Sequence, residues 1–315
     1  MWKSLVATLP LLALSLTAQA HAEVPSVVAS LQPLHSLAAM VMTGVGEPSL
    51  LVSGAASEHG YALKPSDLRA IEAAKVAVMV DPAYETFMAK PLKARGQAIA
   101  VLAMADLPGM TVFKPREGGV WDKHEHHGPE HDHDHEYEHG HDGELDGHLW
   151  LDPVNARLLV VALSEKLSEL DPINAETYRR NAHMAETLLA ELDARLKTRL
   201  APLAGRPYVV FHDGYQYFEA RYGLTPAGSI TVDPDRPPSA RRLADLKAKL
   251  VRSKAACVFR EPQFPAPVVE SLAKSAGARV GILDPQGASL SPGPDLDPAL
   301  LAALADSLTN CLSAP

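Results

Sequence analysis

Beyond its first 25 residues, the sequence contains no apolar run long enough to cross a membrane. The opening stretch, MWKSLVATLPLLALSLTAQAHAEVP, combines an early lysine, a short apolar segment and small residues, which is the pattern of a secretory signal peptide. We therefore expect residues 1–22 to be a cleaved signal peptide and the mature chain to be soluble and exported. A retained N-terminal anchor is the alternative, because it shares this pattern.

The chain also has few cysteines and no net positive charge. The chain has two cysteines, Cys257 and Cys311, and a formal net charge of -9 at pH 7. An even cysteine count in an exported chain suggests one disulfide, which would pin the C-terminal segment to the domain that contains CVFREP. Two unpaired thiols are the alternative. The negative charge argues against a nucleic-acid partner.

The order of the predicted elements indicates two α/β units. A chain of 315 residues with 47% apolar composition can build one large or two medium domains. Short apolar strands alternate with helical patterns in both halves and end with RVGILDPQG, which favours mostly parallel sheets with flanking helices. Between the halves, the segment DPINAETYRRNAHMAETLLAELDARLKTRLAPL has no glycine and no internal proline until Pro202. It predicts one long, rigid helix that joins two lobes.

We place the N-terminal lobe at residues 23–170, the linking helix at 171–203 and the C-terminal lobe at 204–315. A His- and acid-rich insert at 114–146 interrupts the first lobe, and its densest part is HEHHGPEHDHDHEYEHGH, residues 124–141. This tract is too polar to offset the entropy of ordering, so we expect the insert at 114–146 to be disordered. Its imidazoles can bind zinc, copper or nickel, but none is held at a fixed geometry. Our hypothesis is that the tract is an auxiliary, low-affinity metal collector.

Histidines near the ends of predicted strands are the candidate metal ligands, because open α/β sheets bind ligands beyond the carboxyl ends of their strands. His59 follows the strand in SLLVSG, His212 closes the strand YVVF, and His148 lies between the insert and a helix N-terminus. Glu58 adjoins His59, and Asp284 ends the last predicted strand. These residues come from both halves of the chain, so we expect them to meet in a cleft between the lobes.

Three imidazoles and one carboxylate form a tetrahedral shell suited to zinc, whereas manganese favours more oxygen ligands. Asp284 has three interpretations: a metal ligand, an acceptor that fixes a histidine tautomer, or a turn residue before Pro285. His35 and His183 lie inside predicted helices, which favours structural roles. A catalytic zinc site is the rival interpretation, but no base near these histidines lies at a spacing that suggests hydrolysis.

Six segments occur in the order found in one known family: LQPLHSLAAMVMTGVGEP, GASEHGYALKPSDLRAIEAAKV, HLWLDPVNA, FHDGYQYFEARYGLTPAGSITVDP, CVFREPQF and LDPQG. They resemble the ZnuA family, the periplasmic zinc-binding proteins of high-affinity zinc ABC importers. The resemblance extends over nearly the whole mature chain and includes a His-rich insert just ahead of HLWL. It implies two α/β lobes joined by one long helix, with little hinge motion and with zinc in the cleft.

The resemblance also implies a ligand set. It assigns His59, His148 and His212 as zinc ligands and Glu58 as the fourth. In manganese-type relatives the aspartate that matches Asp284 binds the metal directly and the third position is glutamate. A histidine at position 212 therefore favours zinc.

One departure from the family pattern is Gly60, where the family has aspartate after the histidine. The resemblance implies that Cys257 and Cys311 form the family's disulfide. It further implies a monomeric, non-enzymatic periplasmic protein that delivers Zn²⁺ to the membrane permease of an ABC importer, with an accessory periplasmic zinc chaperone as a further partner. Manganese or another divalent metal is the alternative cargo, and a zinc-dependent hydrolase or a metal-storage or adhesion protein is a more distant alternative.

Overall fold

A computed structural model describes residues 24–54, 56–116, 145–231 and 239–313. The predicted signal peptide and the His-rich tract at 124–141 lie outside these residues. The described chain forms two four-stranded parallel sheets with flanking helices, which confirms the predicted two-lobed α/β fold. Within the described ranges, no helix combines the length and the apolar character needed to span a membrane.

The N-terminal sheet has the strand order β2-β1-β3-β4. Its strands and helices are β1 (Val27–Ala29), α1 (Gln32–Met42), β2 (Ser49–Leu50), α2 (Pro65–Ala73), β3 (Val76–Met79), α3 (Thr86–Arg95) and β4 (Ala100–Ala103). All neighbouring strands are parallel, so their carboxyl ends lie at one edge of the sheet.

The C-terminal sheet repeats this topology in the order β6-β5-β7-β8. Its strands and helices are β5 (Tyr208–His212), α6 (Gln216–Tyr222), β6 (Gly228–Thr231), α7 (Ala240–Ser253), β7 (Cys257–Arg260), α8 (Pro267–Ala276), β8 (Arg279–Ile282) and α9 (Leu296–Leu312). The sequence pattern does not predict β6 or α9. The strand β6 has the sequence GSIT, with small residues at its start, and α9 follows a loop rich in glycine, proline and serine without a side-chain cap.

Two long helices, α4 (Pro153–Leu170) and α5 (Ala175–Leu200), connect the sheets. The Asp-Pro signal at the start of α4 is confirmed, because the Asp152 carboxylate accepts a hydrogen bond from the Val154 backbone N–H at 2.8 Å. The second Asp-Pro pair does not begin a helix at residue 171. The Asp171 carboxylate instead accepts hydrogen bonds from Asn174 and Tyr178 and stabilises a turn ahead of α5. The 26 residues of α5 span about 39 Å.

The linking helix also contributes to the core. Its buried side chains recur at helical spacing. The helix α5 packs against α1 and α4, which precede it in the sequence, and against α9, which follows it. One hydrophobic cluster accordingly contains Val27 of β1, Leu189 of α5 and Leu301 of α9, whereas the outer face of each sheet has a cluster of its own. The two lobes therefore share a continuous core. The lobe boundaries given above remain predictions.

A disulfide between Cys257 and Cys311 joins β7 to the end of α9, as predicted. The two residues are 54 positions apart. In the chain-entropy model, closing a loop of this length stabilises the folded state by about 4 kcal/mol, because it restricts the unfolded chain. The bond fixes the C-terminal helix, which the alternation of strands did not predict, to the centre of the second sheet.

Asp297, in the first turn of α9, is a buried acid whose side-chain oxygens have no hydrogen-bond partner among the described residues. Burial raises its pKa to about 8. The folded protein therefore retains a proton that the unfolded chain releases near pH 3.8. As a result, the free energy of unfolding should fall as pH rises from about 4 to 8, by up to about 1.4 kcal/mol per pH unit. The Asp297→Asn variant should lose this component of the pH dependence.

Denaturant unfolding of the wild type and Asp297→Asn at pH 5 and pH 8 measures this effect. The exposed Asp295 in the same turn provides a matched control, and Asp295→Asn should retain the wild-type pH dependence. Equal pH dependence in the wild type and Asp297→Asn would show that Asp297 is ionised in the folded protein.

Candidate metal centre

Three histidines from separate segments of the chain converge at one point. His59 lies in the loop after β2, His148 directly precedes a short 3-10 helix ahead of α4, and His212 is the last residue of β5. One ligand nitrogen of each lies within 4.8 Å of those of the other two, and the Nε2 atoms of His148 and His212 are 3.1 Å apart. Ligand atoms around a tetrahedral zinc ion are separated by about 3.4 Å, given bonds of about 2.0 to 2.1 Å. The three rings can thus contact a single ion.

Glu58 lies at the same centre. Its Oε1 atom is 3.7 Å from His59 Nε2 and 3.9 Å from His148 Nε2. The Tyr84 hydroxyl donates a hydrogen bond to Oε1 at 2.9 Å, and the Gln286 side-chain amide donates one to Oε2. Burial raises the pKa of Glu58, but the neighbouring His59 and His148 outweigh burial and leave this pKa below its usual value. The side chain is therefore a carboxylate that can serve as a fourth ligand.

The two buried histidines are each oriented by a carboxylate. His148 Nδ1 donates a hydrogen bond to Asp146 Oδ1 at 2.8 Å, and His212 Nδ1 donates one to Glu261 Oε1 at 2.6 Å. A carboxylate that accepts from Nδ1 directs the lone pair of the neutral imidazole to Nε2. Both Nε2 atoms therefore point to the common centre.

The electrostatics of this centre favour a cation. Three carboxylates, those of Glu58, Asp146 and Glu261, are at least nine-tenths buried and lie against the imidazoles. Burial lowers the pKa of His212, but Glu261 outweighs burial and raises this pKa to about 9. Without metal, a proton on His212 balances part of this buried negative charge, and a divalent cation between the Nε2 atoms would displace that proton and balance the carboxylates in its place.

A family model described as zinc-uptake complex component A, periplasmic, matches residues 27–311. The chain belongs to this ZnuA family. The high-affinity zinc uptake system protein ZnuA of Brucella suis is 45% identical to it over 305 residues, and the match covers 91% of each chain. A solved ZnuA structure superposes with a TM-score of 0.76 at 26% identity, over 92% of this chain and 100% of that one. A ZnuA deletion mutant with zinc bound gives 0.75 at 26% identity, over 93% and 100%.

As a ZnuA-family protein, the chain is a metal-binding component of a transport system rather than an enzyme. The site geometry fits this membership, because the imidazoles come from both lobes. His148 and His212 are buried, whereas His59 is exposed. The centre therefore opens to solvent on the His59 side.

Asp284 does not join the imidazoles in this ZnuA-family structure. Its Oδ1 atom accepts hydrogen bonds from Gln263 Nε2 at 2.9 Å and from the backbone N–H groups of Gln286 and Gly287 at 3.1 and 2.9 Å. Of the three interpretations, the turn residue is the one that these contacts support. The acceptors that fix the histidine tautomers are Asp146 and Glu261.

The other histidines with predicted structural roles lie away from the three imidazoles. His35 donates a hydrogen bond from Nε2 to the Pro48 carbonyl at 3.1 Å within the N-terminal lobe, and burial lowers its pKa. His183 is exposed on α5. Neither belongs to the group of side chains that could hold a metal ion.

Four residues at this centre were not predicted from the sequence: Tyr84, Asp146, Glu261 and Gln286. Glu261 directly follows β7, so the strand-end rule that identified His212 would also have identified it. Asp146 lies within the insert that we expected to be disordered, but it is buried and bonds to His148, two residues later. No local pattern indicates Tyr84 or Gln286, because each reaches Glu58 only through the tertiary fold.

Proposed function

We propose that this protein captures Zn²⁺ in the cleft between its lobes and delivers it to the membrane permease of an ABC importer for high-affinity zinc uptake. His59, His148, His212 and Glu58 are the proposed ligands. The convergence of one ligand nitrogen from each of three imidazoles, all within 4.8 Å of one another, carries the proposal. It is supported by the match of the zinc-uptake family to residues 27–311.

The composition of the ligand set favours zinc over manganese. Three nitrogens and one oxygen suit a tetrahedral ion, whereas manganese takes octahedral shells rich in oxygen. Manganese is therefore the weaker cargo in this proposal.

The proposal extends to the partners and the location of the protein. The family is periplasmic, and we propose that this chain acts there as a monomer after removal of residues 1–22. The permease is its main partner, and an accessory periplasmic zinc chaperone is a further one. The tract at 124–141 would collect zinc weakly without forming the transport site.

A zinc titration of metal-free protein in competition with a chelator tests this function. The wild type should bind one tight equivalent plus weaker ones, and a variant that lacks residues 124–141 should keep the tight equivalent while losing weak ones. Calorimetry at the same pH gives the stoichiometry of both proteins.

Other outcomes of this titration would support the alternatives. Loss of the tight equivalent on deletion would place the metal chemistry in the tract. Many equivalent weak sites would indicate storage. Hydrolysis of a phosphate or amide substrate that requires His212 would indicate a zinc hydrolase.

A further inference from the structure

Gln286 connects the C-terminal part of the chain to the candidate ligand Glu58. It lies in the loop between β8 and α9 and is 2% exposed. Its side-chain amide donates a hydrogen bond to Glu58 Oε2 although the two residues are 228 positions apart. A neutral amide thus donates to the oxygen of Glu58 that Tyr84 does not contact.

The loop that carries Gln286 is held by the N-terminal part of the chain. Gln32, at the start of α1, donates from Nε2 to the carbonyls of Gln286 and Gly287 at 3.2 and 3.1 Å. The indole of Trp150 donates to the Pro285 carbonyl at 2.7 Å. The backbone position of Gln286 is therefore fixed independently of its contact with Glu58.

The two carboxylate oxygens of Glu58 have different hydrogen-bond partners. Oε1 accepts from Tyr84 and is the oxygen closest to His59 and His148. Oε2 accepts from Gln286. An ion at the histidine centre would therefore meet Oε1 first, because the hydrogen bond from Gln286 holds the carboxylate by its other oxygen.

The orientation of the Gln286 amide indicates that this contact determines its position. Its Oε1 atom is buried and has no hydrogen-bond partner within the described residues. Such an unpaired acceptor is costly and requires an explanation. Turning the amide over would direct its oxygen at the Glu58 carboxylate, which cannot donate, so the observed orientation is the favourable one.

We propose that Gln286 is a positioning residue that restricts Glu58 to binding metal through one oxygen and thereby favours four-coordinate Zn²⁺ over cations with larger shells such as Mn²⁺. This proposal rests on the proposed function, since it requires metal at the histidine centre. A carboxylate that binds through both oxygens raises the coordination number, which suits octahedral ions better than tetrahedral zinc. Gln286 acts through Glu58 and does not contact the metal.

Cobalt(II) substitution and competition titrations test this proposal with the Gln286→Leu variant. Four-coordinate Co²⁺ absorbs visible light more strongly than five- or six-coordinate Co²⁺, so the absorption of the variant should weaken relative to the wild type. The ratio of zinc to manganese affinity should fall about tenfold or more, in the range measured for groups that orient metal ligands. Gln286→Met, which is closer to glutamine in length, should behave alike and serves if the leucine variant does not fold.

Gln263→Leu is the matched control. Gln263 donates to Asp284 rather than to Glu58, so this variant should keep the wild-type cobalt spectrum and affinity ratio. An unchanged spectrum and ratio in folded Gln286→Leu and Gln286→Met would overturn the role of Gln286. Absence of tight metal at the histidines in the wild type would instead overturn the proposed function.

Discussion

Replacing His148 or His212 with alanine should lower the zinc affinity more than about 100-fold, because the loss of a ligand exceeds the 10- to 100-fold cost of losing an outer hydrogen-bond partner. Each substitution removes one of three converging imidazoles and takes one hydrogen-bond donor away from a buried carboxylate, Asp146 or Glu261. His59→Ala should lower the affinity in the same direction. Chelator competition at fixed pH measures all three variants.

His183→Ala is the matched control for this series. His183 is exposed on α5 and lies outside the group of converging histidines, so its loss should leave the zinc affinity unchanged. Tight binding that persists in the His148, His212 and His59 variants alike would refute the histidine centre. It would direct attention to the residues outside the described ranges.

Gly214→Ala should abolish tight zinc binding without removing any ligand. A Cβ atom at this position would lie 2.4 Å from His212 Nε2 and 2.9 Å from His148 Nε2, in the space where the two ligand nitrogens face each other. The added methyl group would displace the rings or the ion, and we expect an affinity loss comparable to that of the histidine variants. The free energy of unfolding should fall by only about 1 to 3 kcal/mol.

Gly281→Ala is the control that distinguishes an effect of steric strain on stability from an effect on metal binding. A Cβ atom there would lie 2.4 Å from Phe259, as close a contact as at Gly214, but none of the nearest atoms belongs to the histidine centre. This variant should be destabilised while its zinc affinity stays near that of the wild type. If the two glycine variants lose zinc affinity equally, general destabilisation rather than occupation of the centre is the cause.

Much of the fold could be predicted from local pattern. Alternating strands and helices predicted two parallel sheets. Gly223 and Gly277 end α6 and α8 with φ values of 66° and 69°, the left-handed conformation that glycine favours at helix ends. The pattern does not identify β6, which forms a strand because it pairs with β5 at the sheet edge. Tertiary pairing rather than local propensity determines that element.

The candidate site was predictable because His59 and His212 follow strands, Glu58 adjoins His59, and His148 lies just ahead of a helix N-terminus. His59, His148 and His212 converge, and Glu58 lies beside them, although their binding of metal stays a prediction. Gln286 reaches the centre only because the lobes pack together, so no spacing in the sequence indicates it. Asp284, also at a strand end, is engaged by its own loop, which only the folded backbone shows.

The shared hydrophobic cluster limits how cargo can be exchanged. Apolar side chains from β1, α5 and α9 pack together. Separating the two lobes would therefore expose to water part of the hydrophobic core that stabilises both lobes. Exposing about 400 Å² of such surface would cost about 10 kcal/mol, which is comparable to the whole stability of a domain. Displacing only the loops around the exposed His59 would leave this shared interior buried and would cost far less.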